Sequence, residues 1–193
     1  MILSSYIFTC QLNALTDGIT MPLLPSSVNG FWKKVYRTNG ESLCLSALHQ
    51  ARTPYFYETW NVPDTMEGRF DCAVLHMCLL LRNIKGPIAQ SAFDAFFSYT
   101  ELTLREMGVG DLKVGKQVKN CAKFFYGALK AYEDGLEGRE SLEEAIIRNL
   151  YGNTHSLWAD EVGNYVRTCD HLLKEQDGQK KEGQGVSWPA LGV

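Results

Sequence analysis

The sequence predicts an all-α fold, a single domain of about six or seven packed helices. Three observations carry this expectation. Apolar residues recur at three- and four-residue spacing through most of residues 35–176. Capping signals stand in front of several of these runs. No stretch alternates at period two, so no strand is expected, and no internal repeat is present. A chain of 193 residues suits one domain, and 45% hydrophobic against 21% charged residues excludes disorder over most of its length.

The elements follow in order. Residues 1–32 are apolar but irregular, broken by Gly18, Pro22, Pro25 and Gly30, and read as an N-terminal extension. A helix is expected from Val35 to Ala51, with Leu43, Ala47 and Ala51 four apart, stopped by Pro54. An aromatic turn follows at Tyr55, Phe56, Tyr57 and Trp60. Asp64 with Glu67 three residues later reads as a capping box before Phe70, Val74, Met77, Cys78, Leu81 and Ile84. Gly86-Pro87 is expected to close that helix. Ala89, Phe93, Phe96, Phe97 and Leu104 form the next stripe, ending at the glycines around Gly108 and Gly110. Asp111 is the expected N-cap of the most regular helix, whose apolar face runs Val114, Val118, Cys121, Phe125, Ala128, Tyr132 and Leu136. Ser141 and Glu144 mark a further capping box before Ile146, Ile147 and Leu150. Trp158, Val162, Val166, Cys169 and Leu173 give the last helix. The organisation is therefore an extension over 1–32, a helical domain over 33–176 and a polar tail over 177–193.

Composition narrows the function classes. The 19 basic and 22 acidic residues leave a net charge of −3, which argues against a protein that coats nucleic acid, and no DNA partner is expected. No segment reaches the ~18 consecutive apolar residues of a membrane span. The first basic residue is Lys33, so the start lacks the positive region of a secretory signal. The six scattered cysteines contain no C-x-x-C pair and read as reduced, buried thiols. The expectation is a cytoplasmic protein, with peripheral contact on the inner face of the cytoplasmic membrane left open.

Motifs for chemistry are weak. Gly110 to Lys116 spells the spacing of a phosphate-binding loop, but Gln117 stands where the magnesium-holding hydroxyl belongs and no strand precedes it. Cys72 and His76 share a helical face without a matching ligand pair elsewhere, so buried core residues are expected, and no metal or cofactor. Asp64, Glu67 and Asp71 cluster at a helix start, where the helix dipole accounts for them. No nucleophile elbow or catalytic cysteine signature is present. The sharpest feature is a lysine strip. Lys116, Lys119, Lys123 and Lys130 fall within about 60° of one another, opposite the apolar face. It reads either as the solvated face of an amphipathic helix or as a contact for an acidic partner, RNA or anionic lipid.

The order of several signals resembles the ubiquinol–cytochrome c chaperone family, closest to its bacterial branch. The residues that carry the likeness are Ala51-Arg52, Pro54, Phe56-Tyr57, Val62-Pro63-Asp64-Thr65, Gly68-Arg69-Phe70-Asp71 and Leu75-His76. Further along they are Leu104-Arg105-Glu106-Met107-Gly108-Val109-Gly110-Asp111, Phe125-Tyr126-Gly127, Arg148 to Tyr151 and Gly185 to Pro189. The likeness spans about residues 35–189. It departs at Asn83, which interrupts a basic pair, and at Ala128, where a basic residue is usual. The resemblance implies an all-helical, non-enzymatic assembly factor for respiratory complex III that engages newly made cytochrome b. It also implies a small partner protein and the ribosome as further partners. Shielding such a client calls for an exposed apolar patch, with Tyr55, Phe56, Tyr57, Trp60, Phe96 and Phe97 as candidates or as ordinary core aromatics. An RNA- or ribosome-binding module acting through the lysine face, without that client, is the alternative.

Overall fold

In a computed structural model, residues 30–177 and 186–191 are described. The extension read over residues 1–32 lies outside them up to residue 29, and its last three residues open the first helix. The described residues form seven helices: α1 (Gly30–Ala51), the single turn α2 (Tyr55–Glu58), α3 (Met66–Asn83), α4 (Gly86–Glu106), α5 (Asp111–Leu136), α6 (Leu142–Leu150) and α7 (Ala159–Asp177). No strand occurs among the described residues, in line with the all-α prediction.

α3 is the central element. It packs against α1, α4, α5, α6 and α7, and every residue from Cys72 to Leu81 is buried. A helix surrounded on all sides has no solvent face, which is why this run is apolar all round rather than striped. α1 and α4 share the most extensive helix–helix contact. Gly40 permits it, because a side-chain carbon there would meet Ser91 and the backbone of Ala92. A cluster of Phe93, Phe96, Phe97 and Phe125 joins α4 to α5, with ring centroids 4.8 to 5.7 Å apart.

Helix ends depart from expectation in three places. The N-cap of α3 is Thr65 rather than Asp64. Its backbone is extended and its hydroxyl accepts from the Gly68 N–H at 3.1 Å, while the Asp64 carboxylate pairs with Arg69 at 2.5 Å. Gly86-Pro87 opens α4 instead of closing α3: Gly86 takes a positive φ of 74° and Pro87 sits in the first turn, where its missing N–H costs nothing. Gly110, not Asp111, caps α5. Ser141 caps α6 as read, accepting from the Glu144 N–H at 3.1 Å.

Within the tail read over 177–193, the described residues 186–191 pack back on the helices. Gln176 brackets Ser187, donating to its carbonyl at 2.9 Å and accepting from its N–H at 2.8 Å. The Trp188 indole N–H then donates to the Ser46 hydroxyl on α1 at 3.0 Å. Trp188, Val186 and Leu191 pack on the core from outside.

Candidate functional site

The aromatic candidates divide. Phe56, Trp60, Phe96 and Phe97 are core residues, 0%, 5%, 2% and 9% exposed, so they form no open patch. Phe56 is enclosed by Trp60, His76 and Tyr165, with centroids 5.1 to 5.5 Å from its own. Tyr55 and Tyr57 are half-buried, and Tyr57 donates its hydroxyl hydrogen bond to the Ala51 carbonyl at 2.6 Å. The turn carrying them packs against the core, with Phe56 inside it.

Beneath it lies a buried polar chain. His76 is fully buried. Its Nδ1 faces the Cys72 carbonyl at 2.8 Å and its Nε2 faces the Tyr165 hydroxyl at 2.9 Å. A carbonyl only accepts, so Nδ1 carries the proton and the tyrosine donates to Nε2. Gln50 donates to the same hydroxyl at 3.1 Å, and the Trp188 ring lies 5.3 Å from His76. Burial pushes His76 down to about 4, against the small opposing effect of the Cys72 carbonyl, so the ring is neutral. Cys72 Sγ is 4.0 Å from Nδ1, but that nitrogen is engaged by the carbonyl, and burial raises the thiol to about 12. These are the properties of a locked core histidine. Among the described residues no three metal-ligating side chains come together, and none of the five described cysteines is in a disulfide.

An apolar groove lies elsewhere among the described residues. It is about 500 Å³ in volume and lies where the end of α1, the start of α3 and the second half of α4 meet α5. Phe96 and Ala73 line its floor, and Leu48, Phe70 and Leu104 its walls. Met66 and Met107, 46% and 52% exposed, stand at its edge. Arg52, Glu67, Arg69 and Glu106 line it too, with charges of both signs. The volume falls within the ~300–1,000 Å³ of ordinary ligand sites. Unbranched methionines adapt to apolar surfaces of different shape. The arrangement suits several side chains from one apolar segment.

The lysine strip lies on the far side of α5 from the core. Lys116, Lys119, Lys123 and Lys130 are all exposed. Lys130 is not free charge: its ammonium pairs with Asp134 at 2.9 Å, and Arg139 shares that carboxylate at 2.5 Å. Hydrogen bonds from Lys130 and Arg139 hold Asp134 below the usual carboxylate range. No carboxylate of the described residues pairs with Lys116, Lys119 or Lys123. The phosphate-loop spacing at Gly110 to Lys116 follows a helix and coincides with the start of α5.

Comparison with known proteins decides the family. The family model described as Ubiquinol-cytochrome C chaperone matches residues 58–183. The chain belongs to the ubiquinol-cytochrome C chaperone family. A solved structure, described as that of the Cbp3 homolog from Brucella abortus, is similar at 32% identity and a TM-score of 0.68. The alignment covers 75% of this chain and 85% of that one. No curated protein sequence matches the chain.

Some residues through which the chain resembles its family line the groove, and others fix the backbone and corners near it. Pro54 starts the α2 turn, accepting from the Tyr57 and Glu58 N–H groups at 2.9 Å. Gly68 is buried where a side chain would strike the Pro63 carbonyl. Arg69 pairs with Asp64 and lies 5.2 Å from the Tyr57 ring. Arg105 reaches Glu101 and Asp111, pinning the α4–α5 corner, where Gly108 has a φ of 85°. Arg52 and Glu106 line the groove itself. Tyr126 is half-buried beside Phe93, 5.9 Å between centroids.

Sequence reasoning missed Tyr165, Gln50 and a polar hub at Arg82. The Arg82 side chain, 13% exposed, reaches Glu133 at 3.3 Å, Glu137 at 3.0 Å and Asp170 at 3.2 Å, tying α3 to α5 and α7. Asn83, a departure from the family pattern, donates to the same Asp170 at 2.9 Å. Burial raises the Asp170 carboxyl, but hydrogen bonds from Lys174 and Asn83 and the charges of Lys174 and Arg82 outweigh it, so the net shift is downward. A lone arginine closing an apolar run was the available signal.

Proposed function

We propose that this protein is a non-enzymatic assembly chaperone for ubiquinol–cytochrome c reductase, with newly made cytochrome b as its client. Membership of the ubiquinol-cytochrome C chaperone family carries the reading. The groove between α1, α3 and α4 is the proposed seat of the client, because an unassembled membrane protein offers apolar helix faces with side chains at i, i+3 and i+4. Leu48, Phe70 and Leu104 supply apolar walls, and Met66 and Met107 an adaptable edge. The family match does not favour the RNA-binding alternative.

The test is a tagged pull-down from membranes with b-type haem difference spectra in a deletion strain. The chaperone reading expects cytochrome b in the pull-down and a selective loss of complex III haem without the protein. Leu104→Asp should reduce capture, since a carboxylate in the groove wall opposes an apolar client, while thermal unfolding stays near wild type. Normal complex III together with a pull-down free of cytochrome b overturns it.

A further inference from the structure

The start of α5 carries a feature that a chaperone groove does not use. Leu112 is 101% exposed, the most exposed large apolar side chain among the described residues. A single exposed leucine is ordinary on a protein surface. This one stands in a particular register. Taking Lys116 as zero and 100° per residue, Leu112 lies at about −40°, Lys119 at about −60° and Lys123 at about −20°. The four side chains therefore share one stripe roughly 16 Å long. Val114, Ala122 and Phe125 hold the opposite face in the core, so the stripe points away from the body of the protein.

Charge sharpens the picture. The three lysines have no carboxylate partner among the described residues, whereas the acidic groups nearest in sequence are spoken for. Asp111 is engaged by Arg105, and Asp134 by Lys130 and Arg139. Lys113 and Lys116 also sit in the first two turns, where the helix dipole disfavours positive charge. Stability of the helix alone gives no reason for this placement.

We propose that the first half of α5 is a membrane-contact face, on which Leu112 enters the interface of an anionic bilayer and Lys116, Lys119 and Lys123 hold its headgroups. A strip of lysines alone would serve RNA equally well, but RNA gains nothing from a fully exposed aliphatic side chain on the same stripe. A bilayer rewards both, through apolar insertion and through attraction to anionic lipid. Geometry links the face to the groove. Met107, at the groove edge, precedes Leu112 by five residues, so the two lie within about 18 Å. Docking the stripe holds the groove close to the surface from which a membrane client emerges. The lipid contact itself does not depend on the identity of that client.

The experiment uses the full chain and protein-free vesicles, so its outcome is separable from the client pull-down. Sedimentation compares phosphatidylcholine vesicles with vesicles containing about 30% phosphatidylglycerol, at low and high salt. Binding is expected only to the anionic vesicles and should weaken as salt rises. The triple variant Lys116→Gln, Lys119→Gln, Lys123→Gln should lower the partition coefficient by on the order of a hundred-fold. Leu112→Ser should lower it roughly five- to ten-fold at unchanged charge. Leu112→Trp should add fluorescence that brominated lipid quenches. Thermal unfolding should match wild type for every variant, because all these positions are exposed. Equal binding to both vesicle types, absence of binding, or a triple variant that binds like wild type overturns the proposal. So does tight binding of a single-stranded RNA that Leu112→Ser leaves untouched while anionic vesicles fail to bind.

Discussion

Replacing His76 with leucine should cost about 2 kcal/mol of stability at about pH 8 and nearly nothing at about pH 4.5. The cost at high pH comes from Tyr165. Its hydroxyl is buried, receives a hydrogen bond from Gln50, and gives its own proton to His76 Nε2 at 2.9 Å. Leucine has nearly the volume of the ring but no lone pair, so packing survives while a buried donor loses its acceptor, a penalty of about 1–3 kcal/mol. The acid side follows from proton binding. Burial holds the folded ring down to about 4, below its ordinary 6.5, so protons go preferentially to the unfolded chain as pH falls through that window. Wild type should therefore surrender about 2–3 kcal/mol between about pH 7 and pH 4.5 that the leucine variant retains. Other groups titrate in both proteins and cancel in the difference. Urea unfolding followed by circular dichroism, at both pH values, measures the gap. Parallel curves for the two proteins would refute the neutral, buried histidine. A double-mutant cycle with Tyr165→Phe should return a coupling of about 1 kcal/mol or more, and zero coupling would refute the hydrogen bond.

Three further outcomes test other parts of the frame. Arg82→Met should lower the urea-unfolding free energy by about 2–3 kcal/mol, because three carboxylates around a nearly buried guanidinium lose their shared cation; an unchanged midpoint contradicts the hub. Gly68→Ala, which helix propensity alone ranks as a gain of about 1 kcal/mol, should instead destabilise by about 2 kcal/mol or more, since the methyl meets the Pro63 backbone carbonyl and backbone does not give way. Asp71→Asn should raise the melting temperature above about pH 7 and change little near pH 4. Burial and then the Glu67 charge push its carboxyl up to about 7, so its contribution is favourable below about 4 and lost as pH rises to 7. Partial exposure limits the gain to about 1–2 kcal/mol, and melts at the two pH values decide the sign.

How much could be read in advance varied with the range of the interaction. Ser141 was legible as a cap because its hydroxyl meets an N–H three residues away. Thr65 was mistaken for Asp64 by one position, because Asp64 is drawn off by Arg69 five residues on. Gly86-Pro87 carries the same letters whether it ends one helix or begins the next, and only the positive φ at Gly86 tells the two apart. The aromatic candidates show the wider limit. Phe56 and Phe96 have the composition of a client surface, but residues far along the chain cover them, Tyr165 in one case and Phe125 in the other.

Taken alone, the amino-acid order was enough for the helical class, for the family likeness and for the angular alignment of the lysines. All three rest on short-range periodicity or on residue order, which survive without knowledge of what packs where. Tertiary structure decided the rest. It buried four of six candidate aromatics, neutralised Lys130 with Asp134, and docked Trp188 on α1. It opened a groove from residues as far apart as Leu48 and Cys121. It also left Leu112 exposed beside three lysines that pair with no carboxylate among the described residues. The physical reason is that exposure and pairing are sums over neighbours distant in sequence, and only the packing of the helices, α1 on α4 and five helices on α3, brings those neighbours together.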